Sequence, residues 1–235
     1  MASAKAAGIF VTGTDTGVGK TLVSCALIAS FRKSGLKVGV MKAIETGVGA
    51  DGPLDAIALR DATGSTDPLA TICPQQFALP AAPNAAAGAE NREVDLAAID
   101  AAYEALAEGR DLMLVEGAGG LLVPIRGDCT MAELARRLDL PLLVVARASL
   151  GTINHTALTL EVAASKKLPV LGVIISHADG PISAADASNL QALKHYLGNR
   201  LIGEIPPLGP GELPPPDAID LDALTQRLRS QQKTA

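Results

Sequence analysis

The stretch Gly8-Ile-Phe-Val-Thr-Gly-Thr-Asp-Thr-Gly-Val-Gly-Lys-Thr21 decides the fold. An apolar run of strand type enters a glycine-rich turn, and Lys20-Thr21 then open a segment with helical spacing that reaches Lys33. A phosphate-binding loop has this form. Successive backbone N–H groups and a helix N-terminus surround the phosphates, the lysine reaches the β and γ oxygens, and the threonine hydroxyl can ligate Mg²⁺. Glycine at 17 and 19 lets the backbone come close where a Cβ would obstruct it. Five residues separate Gly13 from Gly19, where the general motif has four. ATP or a similar nucleotide is the expected ligand.

Working outward, further short apolar runs rich in Val, Ile and Leu occur at Val38–Lys42, Leu112–Glu116, Leu142–Ala146, Leu171–Ser176 and Leu201–Ile205. Each is too short for a helix and reads, with Gly8–Thr12, as a buried strand. Between them lie helical patterns at Lys20–Lys33, Asp55–Ala62, Leu96–Glu108, Ala132–Leu138, Ile153–Lys167 and Ala184–Leu197. Thr130 and Glu133 form a capping box, and Gly35, Gly64, Gly109 and Gly198 stand where helix stops belong. The alternation predicts an α/β fold: a doubly wound, mostly parallel sheet with helices on both faces, P-loop NTPase-like, forming a single nucleotide-binding domain over 1–235. Ligands then gather at the carboxyl ends of the strands. Asp67–Glu90 carries prolines and alanines without clear periodicity and reads as a long ordered or semi-ordered loop near that edge. A second proline-rich stretch, 206–216, precedes a terminal helix of about ten residues with a frayed end.

Composition narrows the function. The 235 residues are 48% hydrophobic but only 2% aromatic, so Val, Ile, Leu and Ala must fill the core, and there is no platform for stacking bases. With 20 Lys+Arg against 25 Asp+Glu, no basic stripe follows a nucleic-acid backbone. Cys25, Cys73 and Cys129 form no C-x-x-C pair and read as thiols of a reducing compartment. The opening residues do not have the form of a signal peptide, and the longest run without charge or breaker is too short to span a bilayer. A cytoplasmic protein with no membrane and no nucleic-acid partner is expected.

Other segments must choose the reaction. Lys42 closes its strand, which places a second ammonium beside the phosphate loop, where two lysines would stabilise charge on a transferring γ-phosphoryl group. From position alone, a strand-end lysine reaching into solvent is an equal reading. Asp55 follows Gly52-Pro53 and is read either as a helix N-cap or as a metal ligand. Glu116 ends the run Leu112–Val115 and precedes Gly-Ala-Gly-Gly, so its carboxylate stands at a strand tip with open backbone on the ligand side. Thr21, Asp55 and Glu116 together offer the hard oxygens that Mg²⁺ prefers.

Four segments occur in an order and at spacings similar to those of the dethiobiotin synthetase family: Gly-Thr-Asp-Thr-Gly-Val-Gly-Lys-Thr (13–21), Val-Glu-Gly-Ala-Gly-Gly-Leu-Leu-Val-Pro (115–124), Leu-Gly-Thr-Ile-Asn-His-Thr (150–156) and Gly-Glu-Ile-Pro (203–206). The resemblance spans nearly the whole chain and is weakest over about 65–110 and after 208. The extra residue in the phosphate loop is itself a habit of that family. The resemblance implies an ATP-dependent ligase that makes dethiobiotin, ADP and phosphate from 7,8-diaminononanoate (7,8-diaminopelargonate), CO₂ and ATP. It implies nucleotide contacts at Gly17, Val18, Gly19, Lys20, Thr21, Leu22, Gly117, Ala118, Gly119, Ser176, His177, Pro206, Pro207 and Leu208. It further implies a metal site of Thr21, Asp55 and Glu116, and catalytic lysines at 20 and 42. Substrate contacts fall at Thr12 and Thr46. Leu150, Gly151, Thr152 and Asn154 would hold the substrate carboxylate across the interface of a homodimer. Read without the resemblance, Asn154 and His155 are ordinary helix-entry residues.

Two positions depart from the family pattern. Ala43 stands where the lysine-bearing strand usually continues with proline, and Ser176 stands where many members carry an asparagine that reads adenine. A serine cannot present an amide's paired donor and acceptor, so measurable use of other nucleoside triphosphates is expected. The alternative reading from another class is a ParA/MinD-like ATPase switch, whose signature lysine early in the loop has no counterpart among residues 13–17.

Overall fold

In the computed structural model, described over residues 6–209, 212, 214–215 and 217–232, the chain opens with β1 (Ala7–Gly13), α1 (Lys20–Lys33), β2 (Val38–Lys42) and β3 (Ile44–Thr46). Next come α2 (Leu54–Thr63), α3 (Leu69–Ile72), β4 (Gln75–Phe77), α4 (Pro83–Ala89), α5 (Leu96–Ala107) and β5 (Leu112–Gly120). The second half holds β6 (Pro124–Arg126), β7 (Cys129–Thr130), α6 (Met131–Arg137), β8 (Leu142–Arg147), α7 (Thr152–Ser165), β9 (Val170–Ser176), α8 (Ala184–Leu197), β10 (Leu201–Ile205) and α9 (Leu221–Gln232). The expectations for the opening residues and the frayed end lie outside the described residues.

Six strands make the central sheet in the order β10-β9-β8-β1-β5-β2, and every pairing in it is parallel. Both faces are covered. Val144 and Ala146 of β8 pack with Leu160, Leu190 and Leu193 from α7 and α8, while the alternate residues Leu143 and Val145 join the larger core that includes Val23, Leu27 and Phe31 of α1. Burying these side chains contributes about 1.5–3 kcal/mol each, the main force holding the helices to the sheet. The predicted helix stops at Gly35, Gly64, Gly109 and Gly198 all adopt positive φ, from +51° to +85°, a conformation that costs glycine nothing.

The structure corrects several boundaries and one adjacency. Residues 67–90 hold regular elements where only a loop is expected. They contain α3, β4 and α4, and β4 pairs in parallel with β3. Elements of three to seven residues are too short to show a period, and packing makes them. Asp55 is not an N-cap: α2 begins at Leu54, with Pro53 at the cap position. Glu116 does not end its strand, because β5 continues through the glycines to Gly120. The strand bearing Lys42 is not next to β1, since β5 lies between them. No described helix is long and apolar enough to cross a membrane.

Candidate active site

The phosphate loop joins β1 to α1 at the carboxyl edge of the sheet. Gly17 (φ +72°) and Gly19 (φ +89°, the N-cap of α1) both occupy the left-handed region. A Cβ on Gly19 would lie 2.4 Å from Ser176 Oγ, so only glycine fits between β9 and the loop. Val18 is buried in the core and anchors the turn. On the other flank Arg147 Nη2, at the end of β8, donates to the Thr16 carbonyl at 2.7 Å.

Below the loop, charges from two strands and two helices meet. Lys42 and Glu116 are partners on the same rung of β2 and β5, 3% and 0% exposed. Lys42 Nζ donates to Glu116 Oε1 at 2.7 Å and to Asp55 Oδ2 at 2.5 Å. The hydroxyl of Thr21 lies 2.8 Å from Asp55 Oδ1 and 2.9 Å from Glu116 Oε1, and Ser24 Oγ donates to Glu116 Oε2 at 2.8 Å. Buried charges survive only when paired and hydrogen-bonded in this way. Burial alone would lower the Lys42 pKa, but the Glu116 and Asp55 carboxylates outweigh it and the net shift is upward. Burial would raise that of Asp55, but the Lys42 ammonium prevails and holds it down. For Lys20, burial first and the neighbouring Lys42 second outweigh the Glu116, Asp55 and Asp15 carboxylates and bring it down to about 8. Among the described residues its ammonium donates only to the Asp15 carbonyl, at 3.4 Å, so an incoming polyphosphate would satisfy it.

A cavity of about 590 Å³ opens onto this network. Of the residues singled out from sequence, Gly17, Gly19, Lys20, Thr21, Lys42, Thr46, Asp55, Ala118 and Gly119 line it. Glu116 lies beneath them, and the Gly117 carbonyl is 3.4 Å from Lys42 Nζ. Others are placed elsewhere in the single chain. Thr12 is buried in the sheet, and Leu22 packs against the core. Ser176 and His177 end β9, where His177 Nε2 meets Glu204 Oε1 at 2.8 Å. Pro206, Pro207 and Leu208 follow β10. Leu150, Gly151, Thr152 and Asn154 start α7 away from the cavity, with Leu150 79% exposed. Sequence reasoning missed Ser24, Glu45 and the Pro80–Pro83 stretch, all at or against the cavity. Ser24 had a signal, because it lies three residues after Thr21 on the same face of α1. Glu45 and Pro80–Pro83 had none within reach of a local window.

Three hard oxygen groups converge: the Asp55 and Glu116 carboxylates each lie within hydrogen-bond distance of the Thr21 hydroxyl. That set suits Mg²⁺, which takes one or two carboxylates and completes its shell with phosphate and water.

A lysine-bearing glycine loop between the first strand and helix of a parallel sheet, with a carboxylate on the neighbouring strand, defines a nucleotide-binding protein of the P-loop NTPase class. Solved structures share the fold: MinD in the MinC:MinD cell division complex of Aquifex aeolicus is similar with a TM-score of 0.55 at 17% identity, covering 97% of this chain and 96% of that one. A family model described as an AAA domain matches residues 7–212. The ATP-dependent dethiobiotin synthetase BioD of Anaeromyxobacter dehalogenans strain 2CP-C is 50% identical over 191 residues, covering 80% of this chain and 86% of that protein. The enzyme of the same name from Thermodesulfovibrio yellowstonii is 42% identical over 85% of this chain and 88% of its own length. The chain belongs to the dethiobiotin synthetase family.

Proposed function

We propose that the protein is an ATP-dependent dethiobiotin synthetase, a ligase that closes the ureido ring of 7,8-diaminononanoate with CO₂. The observation that carries this reading is the rung shared by Lys42 and Glu116, with Thr21 and Asp55 bonded to it, at the foot of a phosphate loop in a chain of this family. One amine of the substrate takes up CO₂ as a carbamate and releases a proton. A carbamate oxygen then attacks the γ-phosphorus and ADP leaves. The second amine attacks the carbamoyl carbon, and phosphate leaves as the ring closes.

The protein's own part is positioning and charge. The loop N–H groups and Lys20 hold the triphosphate; Lys42, already fixed by two carboxylates, faces the transferring group and the carbamate. Thr21, Asp55 and Glu116 would hold Mg²⁺. Bound there, Mg²⁺ would neutralise charge on the phosphate oxygens. Thr46, on the cavity wall, and Thr12 serve the diamine. Gly117–Gly119, Ser176, His177 and Pro206–Leu208 serve the rest of the nucleotide, with Ser176 in the place of an amide that would select adenine. Leu150, Gly151, Thr152 and Asn154 lie off the cavity of their own chain, which supports their acting on the site of a second copy in a homodimer.

The test is whether phosphate release from Mg-ATP requires bicarbonate and the diamine together. A requirement for both is expected, and release that ignores the diamine would favour a free-running ATPase switch instead.

A further inference from the structure

Helix α2 starts without a cap of its own. Pro53 stands at the N-cap with no side-chain acceptor, after a turn at Gly52 (φ +84°). The first N–H groups of a helix have no acceptor within it, and Ala56, in that first turn, is fully buried. Glu45, ten residues upstream in β3, supplies what is missing: Oε1 accepts from the Asp55 N–H at 3.0 Å and Oε2 from the Ala56 N–H at 3.1 Å. A carboxylate that takes both oxygens to a helix N-terminus also meets the positive end of the helix dipole. Glu45 is 8% exposed and lines the same cavity as Lys42 and Thr46.

The helix end it ties down carries Asp55. The Asp55 side chain is 39% exposed, against 4% for Lys42 and 0% for Glu116, so packing does little to fix it. Its position depends on bonds: Thr21 and Lys42 to the side chain, Glu45 to the backbone. Lys42 and Glu45 belong to one short run of chain, so the segment that presents the ammonium also clamps the carboxylate that receives it. We propose that Glu45 is a positioning residue that sets Asp55 in register with Thr21 and Glu116 for binding a divalent cation with nucleotide. The inference rests on the reading of Thr21, Asp55 and Glu116 as the Mg²⁺ ligands.

The experiment compares wild type, Glu45→Ala, Glu45→Gln, Asp55→Asn and Glu45→Ala/Asp55→Asn as full chains. It measures the Mg²⁺ concentration for half-maximal phosphate release, Mg²⁺-dependent ADP binding by calorimetry, and thermal unfolding. Loss of an outer partner of a metal ligand typically reduces metal affinity ~10–100-fold, so Glu45→Ala should raise the Mg²⁺ requirement by about that factor in both assays. Glu45→Gln keeps one acceptor and should fall between it and wild type. In the Asp55→Asn background, Glu45→Ala should add less than about 2-fold, because residues acting as one unit are not additive. A lower melting temperature with an unchanged Mg²⁺ requirement would make Glu45 a plain helix cap and overturn the proposal, as would fully multiplicative effects in the double variant. Mg²⁺-dependent ADP binding does not involve the diamine, so a wild type that binds Mg-ADP yet shows no diamine-dependent release refutes the synthetase reading and leaves Glu45 testable.

Discussion

Two cavities of nearly equal size sit at opposite ends of one sheet. The first, about 590 Å³, lies at the carboxyl ends of β1, β2 and β5; the second, about 560 Å³, lies at the amino ends of β1, β8 and β9 against α9. In the first, Lys42 and Glu116 are out of water and bonded to each other, to Asp55 and to Thr21. The second is lined by Leu140, Pro141, Leu168 and Leu228 among others, and its charged side chains, Arg136, Asp139 and Lys167, are exposed. Volume therefore does not identify the site. What separates the two ends is whether the fold bears the desolvation of charge, and a parallel sheet does so only where its strands and helix N-termini converge. The far end of the sheet uses its charges for helix ends and surface pairing.

The sharpest way to break this contrast is to remove the ammonium at its centre. Lys42→Ala leaves Glu116, fully buried, with only hydroxyl partners, and Asp55 with one partner fewer. Removing one member of a buried pair costs about 3–5 kcal/mol, and losing a preorganised cation from a transferring phosphoryl group costs about 10²–10³ in turnover. Denaturant unfolding and diamine-dependent phosphate release should both register the change. The matching change at the far end, Lys167→Ala, should leave release within about 2-fold. Normal turnover in Lys42→Ala would remove that residue from the site.

Next in size is Gly19→Ala. The left-handed φ of +89° and a Cβ contact of 2.4 Å to Ser176 Oγ act together, and held strain of this kind costs about 1–3 kcal/mol. Nucleotide affinity measured by calorimetry should fall by about 10-fold or more. Adding Ser176→Gly removes the contact but not the φ penalty, so it should restore part of the loss. Full restoration would show that the backbone conformation itself carries no strain.

The sequence makes the two ends unequally legible. All six central strands are visible because strands buried on both faces read as unbroken apolar runs, and the glycines at 35, 64, 109 and 198 mark stops whose positive φ only glycine adopts freely. The loop around Lys20 is equally plain, since its chemistry lies within consecutive residues. Strand order is not local, and so the interposition of β5 between β1 and β2 goes unseen, although it is what brings Glu116 beside Lys42. The same holds for Glu45, whose partners begin ten residues away on another element, and for β4, which is ordered by pairing with β3 and by burial of Phe77 in the core. Residues 67–90 look featureless because proline and alanine carry no period, yet Pro80–Pro83 walls the cavity.

The smallest effect is expected beside the far cavity, where charge serves stability alone. Glu133, in the first turn of α6, accepts from Lys166 Nζ at 2.6 Å and from the Thr130 N–H at 3.1 Å, and closes the capping box with the Thr130 hydroxyl. Burial would raise its pKa, but Lys166 and Thr130 outweigh that and bring it down from 4.5 to about 2. A carboxyl lowered in the folded state binds fewer protons there than in the unfolded chain. Its stabilisation is therefore complete above about pH 4.5 and is lost as pH falls through about 2. The pair is partly open to solvent, with side chains 28% and 26% exposed, which screens the contribution to about 1 kcal/mol. In Glu133→Gln, denaturant unfolding should show a flatter fall in stability across that acid window, with diamine-dependent release at neutral pH within about 2-fold of wild type. A large loss of release in this variant would mean that the two ends of the sheet are coupled, and the division of labour between them would fail.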